Sequence, residues 1–153
     1  MRNQNKLLIE QLDRKLKPFI PVKDVQVPPQ GWVRTIRTTL NMTLSQLGRK
    51  LNMSSQGVQR LEQREAHGAV SIKTLKGVAK ALDMQFVYGF VPNEGSIEKL
   101  VDSKARKLAI RIVMRTNQNM KLEDQGTSDK NIEKAVEELT DEIKREMRKS
   151  LWD

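Results

Sequence analysis

The stretch "LNMSSQGVQRLEQRE", Leu51 to Glu65, places an asparagine where two helical patterns meet and follows it with serines and glutamines. A sharp turn there calls for a left-handed backbone residue. Glycine suits that conformation best, and asparagine is next best tolerated. Ser54 fits as the cap of the helix that follows, its hydroxyl accepting an orphan N–H of the first turn. Upstream, "MTLSQLGRKL" opens with a capping box: Thr43 accepts the amide three residues on, and Gln46 reaches back to the Thr43 amide. Leu44, Leu47 and Leu51 give this preceding helix a buried face, while Val58 and Leu61 point inward from the following one. Gly48, one turn before Asn52, has no side chain to hold two crossing helices apart. Together Leu47, Gly48, Leu51, Asn52, Met53, Val58 and Leu61 meet the steric needs of two short helices joined at a steep angle.

Working outward, "WVRTIRTTL" stacks Trp32, Ile36 and Leu40 with Val33 beside them, and "SIKTLKGVAKALDM" supplies a further helix. "MQFVYGFVP" alternates Met84, Phe86, Tyr88 and Phe90 and reads as a short strand. It fits either a core strand packed under the helices or a dimer-forming edge. Before this block, "KLLIEQLDRKLKPF" aligns Leu8, Leu12, Leu16 and Phe19 on one helical face, and Pro18 and Pro21 end it. "PVKDVQVPPQ" then reads as an extended linker. After the block, two longer helical patterns flank the polar break "DQGTSD". In the last, Ile132, Val136, Leu139, Ile143, Met147 and Leu151 recur every three or four residues. That seam fits packing on its neighbour in the chain or on another copy, and is too short and irregular to specify a coiled coil. The expected fold is mainly α: a helix-turn-helix bundle with a short β-strand and flanking N- and C-terminal helices. The expected boundaries are 1–30, 31–91 and 92–153.

Charge narrows the function. The 153 residues carry a net charge of +9, with 28 Lys/Arg against 19 Asp/Glu. Residues 31–82 hold nine cations and two acids, while residues 83–153 hold thirteen and fourteen. An excess confined to some fifty residues points to a polyanionic partner. The absence of cysteine excludes a disulfide framework, a Cys-ligated zinc site and a thiol nucleophile, and fits a cytoplasmic protein. The N-terminus breaks its apolar residues with charges, as neither a signal peptide nor a membrane span does. With one histidine, no glycine-rich phosphate loop and no metal-ligand cluster, the chain does not read as an enzyme, and no cofactor or metal is expected.

"MTLSQLGRKLNMSSQGVQRLE" resembles the core of the lambda-repressor-like (Cro/cI, or XRE) DNA-binding domains, and "SIKTLKGVAKALDM" resembles their following helix. The resemblance covers Gly31 to Met84. A narrower resemblance is to the bacterial mobile mystery protein A family, echoed by "LIEQLDRKL", "PPQGWVRTIR", "RLEQREAHG", "FVYGFVP" and "MKLEDQ". The usual companion of that family is a Fic-domain protein. The resemblance therefore implies an antitoxin-like or regulatory partner role, and the leading expectation is a sequence-specific DNA-binding repressor of its own operon.

It also implies that the helix after Ser54 lies in the major groove. Ser55, Gln56, Gln59 and Arg60 are then the base-reading candidates. Gln pairs bidentately with adenine, Arg with guanine, and Ser with several base edges. Phosphate candidates are Thr43 and Ser54 at the helix N-termini, with Arg49, Lys50, Gln63, Arg64 and Lys73 around them. Each of these also suits a solvated surface. His67 reads as loop surface. Gly48 and Asn52 are structural, and so, by the resemblance, is the pair of Arg37 and Glu62, which braces the first helix of the block against the end of the third.

Two departures stand out. Leu44 replaces a Gln that touches DNA in many relatives, and "EQREAHG" replaces the commoner Glu-x-Gly ending. A domain this small offers few base contacts, so a homodimer on two half-sites is expected. The flanks could instead hold the Fic-type companion, with DNA binding secondary. The Ser/Thr-x-x-x-Glu-Gly/Asn inhibitory motif of some Fic regulators is absent: Phe90 stands four residues before the one Glu-Gly, Glu94-Gly95, and there is no Glu-Asn.

Overall fold

The computed structural model describes residues 2–122 and 129–153. Two compact units share the chain: residues 24–88 form one, and the segments up to Lys23 and from Gly89 onward form the other. No helix among the described residues is long and apolar enough to cross a membrane.

The unit of residues 24–88 holds four helices, α2 (Trp32–Thr39), α3 (Leu44–Leu51), α4 (Ser55–Ala66) and α5 (Ile72–Ala81). Val33, Leu47, Val58, Leu61 and Val78 form its core, with Met42, Leu44, Leu51, Leu75 and Leu82 packed around them. Side chains of this size each stabilise by about 1.5–3 kcal/mol when fully buried.

All four helices end the same way. Each carries a left-handed residue at its end: the cap itself, Asn52, in α3, and the residue after the cap, Asn41, Gly68 and Asp83, in α2, α4 and α5. The next amide then reaches five residues back, from Met42 to Arg37, Met53 to Gly48, Ala69 to Arg64 and Met84 to Ala79, at 2.8–2.9 Å. This satisfies carbonyls that a helix end leaves orphaned and turns the chain sharply.

The other unit is built from α1 (Arg2–Leu16), α6 (Ile97–Leu122), α7 (Asp129–Glu146) and a closing 3-10 turn, Lys149–Trp152. Ala105 and Ala109 on α6 are fully buried, and small residues at that spacing let α7 approach closely. The seam packs within the chain: Val136 and Ile143 on α7 and Leu151 in the closing turn are buried, with Ile132, Leu139 and Met147 beside them. Most of the polar break "DQGTSD" lies outside the described residues, as does part of "MKLEDQ".

Three expectations need correcting. No strand forms among the described residues, so the expected short β-strand over "MQFVYGFVP" is absent. The segment has strand composition, but among the described residues nothing hydrogen-bonds to the backbone of residues 85–91. The stretch after α1 is not extended throughout, because Lys17–Asp24 forms a 3-10 helix. Proline's fixed φ is compatible with that geometry.

Lastly, α1 is rotated from the expected stripe. Leu8 and Leu12 are exposed, whereas Asn5, Ile9, Asp13 and Leu16 are shielded. The cause is polar. Asp13 accepts the Ile97 amide at 2.7 Å through Oδ1 and the Glu98 amide at 3.2 Å through Oδ2. Ser96 Oγ accepts the Lys99 amide and the Ser96 carbonyl accepts that of Leu100, so the first turn of α6 is fully satisfied.

Candidate nucleic-acid interface

The helix-turn-helix is assembled from α3 and α4. Thr43 Oγ1 accepts the Gln46 amide at 3.0 Å, and Gln46 Oε1 accepts the Thr43 amide at 2.8 Å. Asn52 makes the turn at φ 55° and ψ 44°. Ser54 Oγ then accepts the Gly57 amide at 3.0 Å and starts α4. Both hydroxyls keep their own protons free to donate outward.

Three inward residues fix the orientation of α4: Val58, Leu61 and Glu62 are buried. The opposite face therefore points to solvent. Ser55, Gln56, Gln59, Arg60 and Gln63 lie on it and are exposed, and Arg64 is exposed beside them. The structure thus gathers all the proposed base readers on one helix surface. The phosphate candidates Thr43, Arg49 and Lys50 are exposed on and before α3, and Lys73 is exposed in the first turn of α5.

Glu62 holds Arg37 from below. Arg37 Nε donates to Glu62 Oε2 at 2.7 Å and Nη2 to Oε1 at 3.0 Å, while Nη1 donates to the Met42 carbonyl at 2.9 Å. The side chains are only 11% and 5% exposed. This fork is charge-assisted, bidentate and shielded from water. The hydrogen bond to Glu62 raises the Arg37 pKa above its ordinary value; burial opposes the rise and the Glu62 charge adds to it.

One functional neighbour is not evident from the motif. Glu65 caps α2, with Oε2 accepting the Trp32 amide and Oε1 the Val33 amide, each at 2.8 Å. The cap position, Gly31, has no side-chain oxygen of its own. It lies at φ 88°, where an added β-carbon would meet the Glu65 carboxylate at 2.9 Å. The sequence signal was the pairing of a bare glycine cap with an acid on the inner side of α4. His67 Nδ1 lies 2.8 Å from the Gln63 carbonyl, tying the loop histidine to the end of α4.

Both acids of residues 31–82 are engaged internally, Glu62 with Arg37 and Glu65 with the start of α2. The other eight cations are Arg34, Arg49, Lys50, Arg60, Arg64, Lys73, Lys76 and Lys80, and all are exposed. None forms an ion pair among the described residues. Lys76 lies over the Tyr88 ring at 5.7 Å. Among the described residues no group of His, Asp and Glu is arranged to hold a metal ion.

No curated protein and no solved structure matches the chain. Residues 33–88 match the family model described as helix-turn-helix, the motif that α3, the turn at Asn52 and α4 form here.

Proposed function

We propose that the protein is a sequence-specific, double-stranded-DNA-binding transcriptional regulator that represses its own operon as a homodimer. In this reading α4 enters the major groove. Ser55, Gln56, Gln59 and Arg60 meet base edges, while Thr43, Arg49, Lys50, Ser54, Gln63, Arg64 and Lys73 meet phosphates. The observation that carries the reading is the charge of residues 31–82. Its eight cations besides Arg37 are all exposed, α4 presents an exposed Gln- and Ser-rich face, and the two acids of the span, Glu62 and Glu65, are engaged internally.

The finer role is that of an antitoxin-like partner of a Fic-domain protein. It rests on the resemblance to mobile mystery protein A and is served by the helices outside residues 24–88. There α1, α6 and α7 border an open cleft floored by Ile9 and Val101 and rimmed by Lys6, Glu98, Asp141 and Arg145. That cleft also favours a second reading, in which restraint of such a companion is primary and DNA binding secondary.

A gel-shift titration of the DNA upstream of the gene against random DNA of equal length tests the first reading. Preferential binding of the upstream fragment, weakening steeply with salt, is expected. Equal affinity for both at physiological salt overturns sequence specificity. Co-purification with the neighbouring gene product separates the second reading: independent elution of the two proteins counts against it.

A further inference from the structure

Counted along the chain, residues 83–153 are close to balanced, with thirteen cations and fourteen acids. The fold sorts them. α6 carries seven cations and two acids, whereas α7 carries four cations and seven acids. Both acids of α6, Glu98 and Asp102, lie near its start, and Lys144 engages Asp102 at 3.0 Å. From Ser103 onward α6 has no acid. Lys104, Lys107, Arg111 and Arg115 follow at spacings of three, four and four residues, which sets them along one side of the helix. All four are exposed, while Ala105 and Ala109 are buried in the core shared with α7. None of the four forms an ion pair among the described residues.

We propose that this stripe is a second DNA-contact surface, one that grips the phosphate backbone without reading sequence. Resting on the DNA-binding reading, it adds a contact outside residues 24–88. From Lys104 to Arg115 the stripe runs about 16 Å, at about 1.5 Å per residue. Laid along one DNA strand, that length covers about five phosphates, at about 3.4 Å each. Two of the four cations are arginines, whose planar fork meets phosphate oxygens in pairs.

The chemistry of the surface favours a phosphate backbone over other anionic partners. α6 contains no aromatic residue. It therefore offers no platform for stacking single-stranded bases and no aromatic anchor for a protein partner. A helix that lies on a lipid surface buries its apolar side in the bilayer, but that side of α6 is already occupied by α7. Ile110 and Met114, each 40% exposed, supply too little apolar area to replace it. A duplex backbone asks only for charge at a regular spacing, which the stripe provides.

Fluorescence anisotropy of the full-length protein on random duplex DNA over a salt series tests the stripe. Lys107→Gln combined with Arg111→Gln should lower the slope of log affinity against log salt by about two, at about one per lost phosphate contact. The ratio of affinities for upstream and random DNA should stay that of the wild type. Lys134→Gln, which removes an exposed cation from the acid-rich α7, should leave the slope unchanged. A second measurement needs no variant. Acetic anhydride should label Lys104 and Lys107 more slowly once random duplex is bound, and Lys134 equally with and without it. Three results overturn the proposal: a wild-type slope in the double variant, an equal fall per charge in Lys134→Gln, or labelling of Lys104 and Lys107 that DNA does not slow. The first overturns it even where the variant loses binding to an acidic protein or to vesicles containing phosphatidylglycerol. A lowered slope in a protein that binds upstream and random DNA equally supports the stripe and sinks only the sequence-specific reading. An unchanged slope in a protein that prefers upstream DNA sinks only the stripe.

Discussion

A β-carbon on Gly48 would stand 2.5 Å from the carbonyl oxygen of Met53. The same two residues are joined by the Met53 amide, which donates to the Gly48 carbonyl at 2.8 Å. Backbone meets backbone on both sides of the turn, so no flexible side-chain end is there to move aside. Gly48→Ala should therefore shift the turn and lower stability by about 1–3 kcal/mol, the range for overpacked sites. Thermal unfolding followed by circular dichroism checks it. Asn52→Gly, at a residue already left-handed, should leave the melting temperature nearly unchanged.

Removing one partner of the shielded Arg37–Glu62 fork leaves the other charge buried alone. Glu62→Ala should cost about 3–5 kcal/mol, a large part of the stability of a small domain. Replacing both residues by methionine should recover much of that loss. A double-mutant cycle in urea measures the coupling, and additive losses would show that the fork contributes nothing as a pair.

Glu65→Ala should unfasten the start of α2 while leaving α4 intact. A loss of about 1–2 kcal/mol is expected, as for a strong helix cap. Faster exchange of the Trp32 and Val33 amides would identify the cause, since these are the two that Glu65 accepts.

DNA-binding variants should fall into two groups. Gln59→Ala and Arg60→Ala should lose about 1–3 kcal/mol on the preferred sequence and relax discrimination between sequences. Arg49→Ala and Lys50→Ala should weaken all sequences alike and lower the slope of log affinity against log salt by about one each. Fluorescence anisotropy over a salt series separates the groups, and equal behaviour of all four would contradict the assignment.

Asp13→Asn keeps the size of the side chain but leaves one oxygen where two amides need acceptors. The loss should be about 1–3 kcal/mol, the cost of an unsatisfied amide. Exchange at Ile97 and Glu98 reports it.

The helix-turn-helix was legible because its signals are local. The capping box of Thr43 and Gln46, the left-handed Asn52, the Ser54 cap and the inward Val58 and Leu61 all act within a few residues of one another. What escaped was set by distant partners. The rotation of α1 depends on Asp13 meeting amides at Ile97 and Glu98, more than eighty positions away. Periodicity favoured Leu8 and Leu12 for its inner face, and two hydrogen bonds turned that face elsewhere. The missing strand failed for a related reason: composition marks a segment as fit for pairing, but only a neighbour makes it a strand. The left-handed ends at Asn41 and Asp83 obey the same rule as Asn52, yet lie where no recognised motif drew attention to them.

The capping of α6 by Asp13 has a consequence for the order of folding. Residues 24–88 are complete as soon as Tyr88 has left the ribosome, whereas α1 must wait until the start of α6 follows. Closing that longer loop costs only about 0.6 kcal/mol for each doubling of its length, a modest penalty once the intervening unit has already condensed. The helix-turn-helix unit thus has all its residues first, while the two segments of the other unit are synthesised before and after it.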